Sequence, residues 1–198
     1  MENYDDVIIN HYKYEAHQKI PPQILKLSAG KKKLTILDVG CGTGLLARPF
    51  FADSDQHEVT GIDATPEMTA AAGKLPYKRM ITARVQEALA GELKGERFDV
   101  ILIVGMLEFI EDPPSFMTTV ASFLAEGGLL AVGAPQKQSF AFEKRFGILT
   151  HPFEPMESAL CDAGLESAWS EEMNGYSLED GVRVKYKGSV WRAKISPT

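Results

Sequence analysis

The residues from Asp38 to Gly44 have types and a spacing that suit ligand binding. An apolar run ends at Asp38, and glycines follow at positions 40, 42 and 44. Glycine permits positive φ angles and keeps side chains away from a ligand, and a helix starting there would offer free N–H groups to an anion. From this turn alone, a phosphate, a dinucleotide and a sulfonium cofactor all stay open, as does a tight turn that simply needs glycine.

Two carboxylates accompany the glycine turn. Asp38 closes its apolar stretch, where a carboxylate is costly unless it has a partner. Asp63 closes the next such stretch, and a carboxylate there can accept hydrogen bonds from both hydroxyls of a ribose. Either aspartate could instead cap a helix. For Asp63, this would be the helix that is expected to begin at Pro66. A dinucleotide dehydrogenase is disfavoured because its glycines are spaced G-x-G-x-x-G and because Asp38 would repel a pyrophosphate.

The elements that must position these residues are short apolar strands that alternate with helices. Strands are predicted at 34–39, 58–63, 98–104 and 128–134, with a weaker one near 80–85. Helices are predicted at 44–52, 66–73, 113–125 and 155–163, and over 5–27 on either side of Pro21-Pro22. This alternation indicates an α/β fold with a doubly wound, parallel sheet. Segments 165–173 and 182–195 alternate apolar and polar residues, which predicts an antiparallel hairpin added to the sheet.

Composition limits the classes of function. The chain has 198 residues, which suits a single domain over 1–198, and its net charge of −6 disfavours binding to nucleic acid. The two cysteines have no metal-like spacing, so we expect reduced thiols, no metal site and a cytoplasmic protein. The polar, acidic start is unlike a signal peptide, and no apolar run approaches the length of a membrane span.

Four sequence blocks carry a family resemblance. "ILDVGCGTG", "GIDATPEM", "FDVILIVGMLEFIED" and "LAEGGLLAV" occur in this order between about Leu34 and Gly164. In order and spacing they resemble the class I S-adenosylmethionine-dependent methyltransferases. The resemblance implies a Rossmann-like, seven-stranded, mostly parallel sheet with an antiparallel C-terminal hairpin and helices on both faces. It also implies S-adenosyl-L-methionine as the cofactor and S-adenosyl-L-homocysteine as the product.

The resemblance assigns cofactor-binding positions. Asp38 would help to place the amino group and the sulfonium side, and Asp63 would take the ribose hydroxyls. The other implied positions are Gly40, Cys41, Gly42 and Gly44 in the turn, Ala64 and Met68 near the adenine, Gln86 and Glu87 at its amino group, and Val104, Gly105 and Met106 beneath the methionine chain. Gln86 stands where the family commonly has an acid, although its carbonyl can still accept a hydrogen bond.

The sequence is less informative about the residues that would bind the methyl acceptor than about those that would bind the cofactor. Many small-molecule members of the family have Leu-Glu-His where this chain has Leu-Glu-Phe, so Phe109 cannot supply a base and remains only a substrate-side candidate. Glu108 is a candidate base or anchor, and its alternative is a solvated or capping carboxylate. The other candidates are His17 as a catalytic residue, Tyr14 beside it in an N-terminal helical lid at 1–30, and His151 in a substrate-side insertion at 135–153. Asp112 is expected to cap the next helix.

The sequence thus predicts methyl transfer from S-adenosylmethionine to a small molecule by in-line displacement, in a monomer or homodimer with neither a nucleic-acid nor a membrane partner. Alignment of the reactants carries most of such a reaction. Two alternatives stay open: a methyltransferase that acts on a protein side chain, and a protein that binds the cofactor without catalysis. Whether oxygen, nitrogen, sulfur or carbon accepts the methyl group is not readable from the sequence.

Overall fold

A computed structural model describes residues 4–52, 57–178 and 181–195 of the chain. Its strands are β1 (Thr35–Val39), β2 (Glu58–Asp63), β3 (Arg79–Thr82), β4 (Phe98–Val104), β5 (Leu124–Pro135), β6 (Leu165–Ser177) and β7 (Arg183–Ala193). Its α-helices are α1 (Tyr4–Asp6), α2 (Ala16–Leu27), α3 (Arg48–Ala52), α4 (Pro66–Ala72), α5 (Val85–Ala90), α6 (Pro113–Ala121), α7 (Phe140–Phe146) and α8 (Phe153–Asp162). A π-helical turn (Val7–His11) and a 3₁₀ turn (Leu107–Phe109) complete the regular structure of these residues.

The strands form one sheet in the order β3-β2-β1-β4-β5-β7-β6. The first five strands are parallel, while β7 runs antiparallel to both β5 and β6. The strand order reverses between β1 and β4, which is where ligands bind in doubly wound sheets. The predicted fold class and the C-terminal hairpin are therefore confirmed.

Both faces of the sheet are covered, which explains the nearly unbroken apolar strands. Along β4, Val100 and Leu102 pack into one apolar layer, and Ile101 and Ile103 pack into the other. All four side chains are fully buried. A strand covered on both faces has no solvated side and hence no polar alternation.

The glycine turn differs from the prediction, because the helix after it begins at Arg48 and not at Gly44. Gly40, Gly42 and Gly44 all have positive φ angles, of 68°, 53° and 80°. Residues with positive φ cannot continue into a right-handed helix. The N–H groups beside the turn therefore belong to the glycine loop itself, and the expected helix N-terminus lies further along the chain.

The N-terminal segment also differs from the prediction. Pro21 and Pro22 do not interrupt α2, which runs through both. Proline removes a helix hydrogen bond, but α2 packs against β7, β6 and β5 with Pro21 buried, and such packing supplies most helical stability in proteins. The break falls earlier, at Lys13, whose φ is 59°. Residues 1–3 of the predicted lid lie outside the described residues.

Smaller differences concern element ends. The helix predicted over 113–125 ends at Ala121, because β5 already begins at Leu124, which pairs with Phe98 of β4. The weak strand ends at Thr82, and α5 starts at Val85. Asp112 caps α6 as predicted, accepting hydrogen bonds from the Ser115 backbone N (3.3 Å) and Oγ (2.6 Å). Within the described ranges, no helix is long and apolar enough to cross a bilayer.

Candidate functional site

A cleft lies at the carboxyl ends of β1 and β4, beside the reversal in strand order. Its walls bring together eight of the residues that the sequence singled out: Tyr14, His17, Asp38, Gly40, Cys41, Gly42, Val104 and Gly105. Six further residues complete the lining: Tyr4, Ile8, Thr43, Leu45, Leu46 and Tyr176. The glycine turn thus faces a cleft rather than serving only as a tight connection.

Asp38 is a buried carboxylate at the base of the cleft. It is 2% exposed, and its Oδ2 accepts a hydrogen bond from the Tyr77 hydroxyl at 2.7 Å. The pKa of Asp38 is raised to about 6, because burial and, to a smaller extent, the charge of Asp63 raise it more than the hydrogen bond from Tyr77 lowers it. A group with such a pKa is readily stabilised in its charged form by a cation placed in the cleft.

Asp63 ties the end of β2 to the glycine loop. Its Oδ2 accepts from the Gly42 backbone N at 2.9 Å, and its Oδ1 accepts from the Thr65 backbone N at 2.8 Å. The N-cap residue of α4 is Thr65. The alternative in which Asp63 caps this helix is therefore wrong. Each carboxylate oxygen has a second lone pair, so Asp63 can hold the loop and still accept hydroxyl donors.

The glycine loop packs closely against the turn after β4. A methyl group on Gly40 would lie 2.6 Å from the Met106 Cβ, whereas one on Gly42 would meet nothing within 4 Å. Gly40 is therefore required for contact within the protein, and Gly42 borders open space. Cys41 lies beside Met80, and burial raises the pKa of its thiol, so it is a packing residue rather than a nucleophile.

The N-terminal segment covers the cleft and is tied to the glycine loop by one carboxylate. Asp5 accepts a hydrogen bond from the Thr43 hydroxyl at 2.5 Å and forms an ion pair with Arg48. Tyr4 and Ile8, on either side of Asp5, line the cleft. The role of this segment as a lid stays a prediction.

Glu108 is neither solvated nor a helix cap, which were its alternatives. It is 5% exposed in the turn after β4, and its Oε1 accepts a hydrogen bond from the Tyr186 hydroxyl. Its Oε2 is buried without a hydrogen-bond partner among the described residues. Burial raises the pKa of Glu108, and the hydrogen bonds from Tyr186 and from the backbone N–H of Glu108 itself only partly offset this.

Three tyrosines stand between Glu108 and the cleft. The Tyr14 ring lies 5.9 Å from both Tyr176 and Tyr186, and the Tyr176 and Tyr186 centroids are 5.8 Å apart. Burial raises the pKa of all three, and the charge of Glu108 adds to the effect. His17 stacks against Tyr14 at 6.1 Å, and burial lowers its pKa.

Some predicted site residues lie outside this cleft. Ala64, Gln86 and Glu87 are exposed and Met68 is half-buried; their contacts to an adenine stay predictions. Phe109 is 73% exposed. His151 is half-buried, and its buried Nε2 has no hydrogen-bond partner among the described residues. No cluster of His, Cys, Asp or Glu within the described ranges could hold a metal ion.

Sequence reasoning missed Tyr77, Tyr176 and Tyr186. Tyr77 follows α4 in a loop with no motif around it, and it reaches Asp38 from 39 positions away. Tyr186 alternates with Val184 along β7, which signals a buried face. The partner of Tyr186 lies 78 positions away, so nothing local could have linked it to Glu108.

Comparison with known proteins adds a family assignment to this geometry. A family profile described as a methyltransferase domain matches residues 12–164. A ubiquinone biosynthesis O-methyltransferase from Ruegeria sp. (strain TM1040) is 38% identical over 113 residues, which are 53% of this chain and 42% of the relative. The enzyme of the same name from Sinorhizobium medicae (strain WSM419) is 35% identical over 183 residues, 77% of this chain and 71% of the relative.

Solved structures share the fold. Magnesium protoporphyrin IX methyltransferase from Synechocystis PCC 6803, crystallised with bound S-adenosylhomocysteine, superposes with a TM-score of 0.69 at 18% identity, covering 97% of this chain and 88% of that one. The chain spans only 42% and 44% of the length of the first two curated relatives it matches. Their whole activity therefore does not transfer to this chain by similarity alone.

Proposed function

Because the chain belongs to the class I S-adenosylmethionine-dependent methyltransferase family, we propose that it transfers a methyl group from S-adenosylmethionine to a small molecule. The observation that carries the proposal is the pair of carboxylates around the glycine loop. Asp38 lies buried at the base of the cleft, and Asp63 is bonded to the loop at Gly42. A cation at one end of a ligand and hydroxyls in its middle match these two acids.

The residues fit the cofactor. Asp38 would bind its ammonium group and Asp63 the ribose hydroxyls, while the open space over Gly42 would admit the chain between them. The bound sulfonium supplies an already activated methyl group, so the protein needs mainly to align the acceptor and exclude water. Tyr4 and Ile8 of the N-terminal segment line the cleft and would help to exclude water from it.

A small acceptor suits the cleft better than a macromolecule. Tyr14 and Tyr176 line its inner part, and the N-terminal segment covers it through the contacts of Asp5 with Thr43 and Arg48. The net charge of −6 further disfavours nucleic acid. The relatives' names give oxygen as their acceptor atom; because the chain spans less than half of the first two, the acceptor of this chain is argued from its own residues.

The direct test is calorimetry with S-adenosylhomocysteine, followed by methyl transfer from labelled S-adenosylmethionine. We expect a dissociation constant in the micromolar range, about −8 kcal/mol. No detectable binding would refute the proposal. Binding without transfer to any tested small molecule or protein would favour the alternative of a non-catalytic binding protein, and transfer to protein alone would favour a side-chain methyltransferase.

The pKa of Asp38 predicts a pH dependence of cofactor binding. Its ionised form attracts the ammonium group of S-adenosylhomocysteine, and this form is lost as the pH falls through about 6. We therefore expect constant affinity above pH ~7 and weakening of up to about tenfold per pH unit below pH ~6. Titration calorimetry between pH ~5 and ~8 measures this.

Tyr77→Phe is the matched variant for this pH profile. It keeps the ring, which packs on Phe51 at 5.0 Å, and removes the hydroxyl that stabilises the Asp38 carboxylate. The pKa of Asp38 should rise, so the loss of affinity should begin at a higher pH than in the wild type. A flat profile in both proteins, or tighter binding at low pH, would contradict the assignment of Asp38 to the ammonium group.

A further inference from the structure

We propose that the acceptor is an amine, and that it binds as an ammonium group to Glu108, next to the cluster of Tyr14, Tyr176 and Tyr186. The inference rests on the proposed function, since it names the substrate class of that same cleft. It is carried by a buried carboxylate oxygen that has no partner among the described residues and by the aromatic groups around it.

The charge of Glu108 has no counterpart among the residues that the structure describes. Tyr186 donates to Oε1, while Oε2 is buried and has no hydrogen-bond partner among the described residues. The described groups that act on the pKa of Glu108 include neither a lysine nor an arginine. A buried carboxylate is costly unless it is paired with a cation and hydrogen-bonded, so a positively charged donor at Oε2 would stabilise the ionised form of Glu108.

The surroundings of Glu108 also suit a cation. Three tyrosine rings stand 5.8–5.9 Å from one another beside the carboxylate. Ring faces attract ammonium groups that lie within about 6 Å of the ring centre, with a larger effect where water is excluded. A neutral hydroxyl would satisfy Oε2 but would gain little from the ring faces and would leave the negative charge unpaired.

Tyr14 lies at the border between this site and the cleft, because it lines the cleft and its ring is 5.9 Å from that of Tyr186. A methyl group added to Gly105 would lie 3.4 Å from the Tyr14 hydroxyl oxygen, so Tyr14 rests on the floor of the cleft. Burial raises the pKa of Tyr14 most, and the charges of Glu108 and Asp38 add to the effect. Tyr14 belongs to the N-terminal segment, so movement of this segment would open the cleft toward Glu108.

The same carboxylate could prepare the nitrogen for reaction. An ammonium N–H bond would break with its electron pair staying on nitrogen, and the proton would bond to Oε2 of Glu108. The nitrogen lone pair would then form the bond to the methyl carbon, while the electrons of the carbon–sulfur bond return to sulfur. Burial, which raises the proton affinity of Glu108, favours the first of these steps.

The test compares probes that differ only in the terminal group. Protein saturated with S-adenosylhomocysteine is titrated with benzylamine against benzyl alcohol, and with phenethylamine against 2-phenylethanol. We expect the amine of at least one pair to bind about tenfold more tightly than its alcohol. In Glu108→Gln this preference should disappear, while affinity for S-adenosylhomocysteine stays at the wild-type value. Glu111→Gln, an exposed acid in the same loop, should keep the preference.

The outcomes separate this inference from the proposed function. Equal affinities in both pairs, tighter binding of the alcohols, or no binding of either amine up to about 10 mM would overturn it. It would also be overturned if Glu108→Gln kept the preference. The wild-type comparison decides alone if that variant does not fold. Absence of S-adenosylhomocysteine binding would refute the proposed function, and the inference with it; normal binding without amine preference refutes only the inference.

Discussion

Replacing Asp63 by alanine is expected to weaken binding of S-adenosylhomocysteine by about 100-fold. Hydrogen bonds to a charged group contribute about 1.5–3 kcal/mol each, and the loss of two at the lower value corresponds to roughly this factor. The substitution also removes the acceptor of the Gly42 and Thr65 backbone N–H groups. Part of the loss of affinity therefore arises if the glycine loop shifts. The experiment has to separate this contribution from the loss of the hydrogen bonds to the ribose.

Ligand analogues make that separation. The affinities of S-adenosylhomocysteine and of its 2′-deoxy and 3′-deoxy forms are measured by calorimetry for the wild type and for Asp63→Ala. If Asp63 binds the ribose, the deoxy forms bind the wild type more weakly but bind the variant as well as the parent ligand does. If the variant still discriminates among them as the wild type does, Asp63 only supports the loop. Asp112→Ala, which removes a helix cap, should lower stability and leave all three affinities unchanged.

The fold was predictable because its determinants are local. Apolar runs such as Phe98–Val104 are covered on both faces, and Pro and Gly residues mark the ends of the helices between them. The same reasoning misplaced the helix after the glycine turn. Three glycines close together read as a loop leading into a helix, but their positive φ angles delay its start to Arg48.

The candidate site was predictable only for residues whose place follows from a local sequence pattern. Asp38, Asp63 and the glycines between them lie at strand ends, so strand prediction brought them to one edge of the sheet. Glu108 was noticed, but its burial was not, because that depends on Tyr186 in a strand 78 positions later. Pairing of β7 with β5 decides which side chains of β7 reach the turn after β4, and no local pattern encodes this.

Gly175→Ala is expected to destabilise the protein by about 3 kcal/mol. A Cβ at this position of β6 would lie 2.0 Å from the Cδ1 of Tyr186, so either the ring or the strand must move. The backbone angles of Gly175 are not in the positive-φ region, so the clash and not the turn geometry is the cause. For a chain of this size, the thermal midpoint should fall by about 10 °C in calorimetry or circular dichroism.

A double substitution identifies the cause of this loss. Tyr186→Leu should itself cost about 2–4 kcal/mol through the cavity it leaves, but it also removes the ring with which a methyl group at position 175 would clash. Gly175→Ala should therefore add almost nothing in the Tyr186→Leu background. Additive losses would mean that position 175 acts through the strand backbone and not through Tyr186. A strong coupling, in contrast, would show that the absence of a side chain at Gly175 is what allows Tyr186 to lie against Glu108, so that the buried carboxylate depends on a glycine 67 positions away.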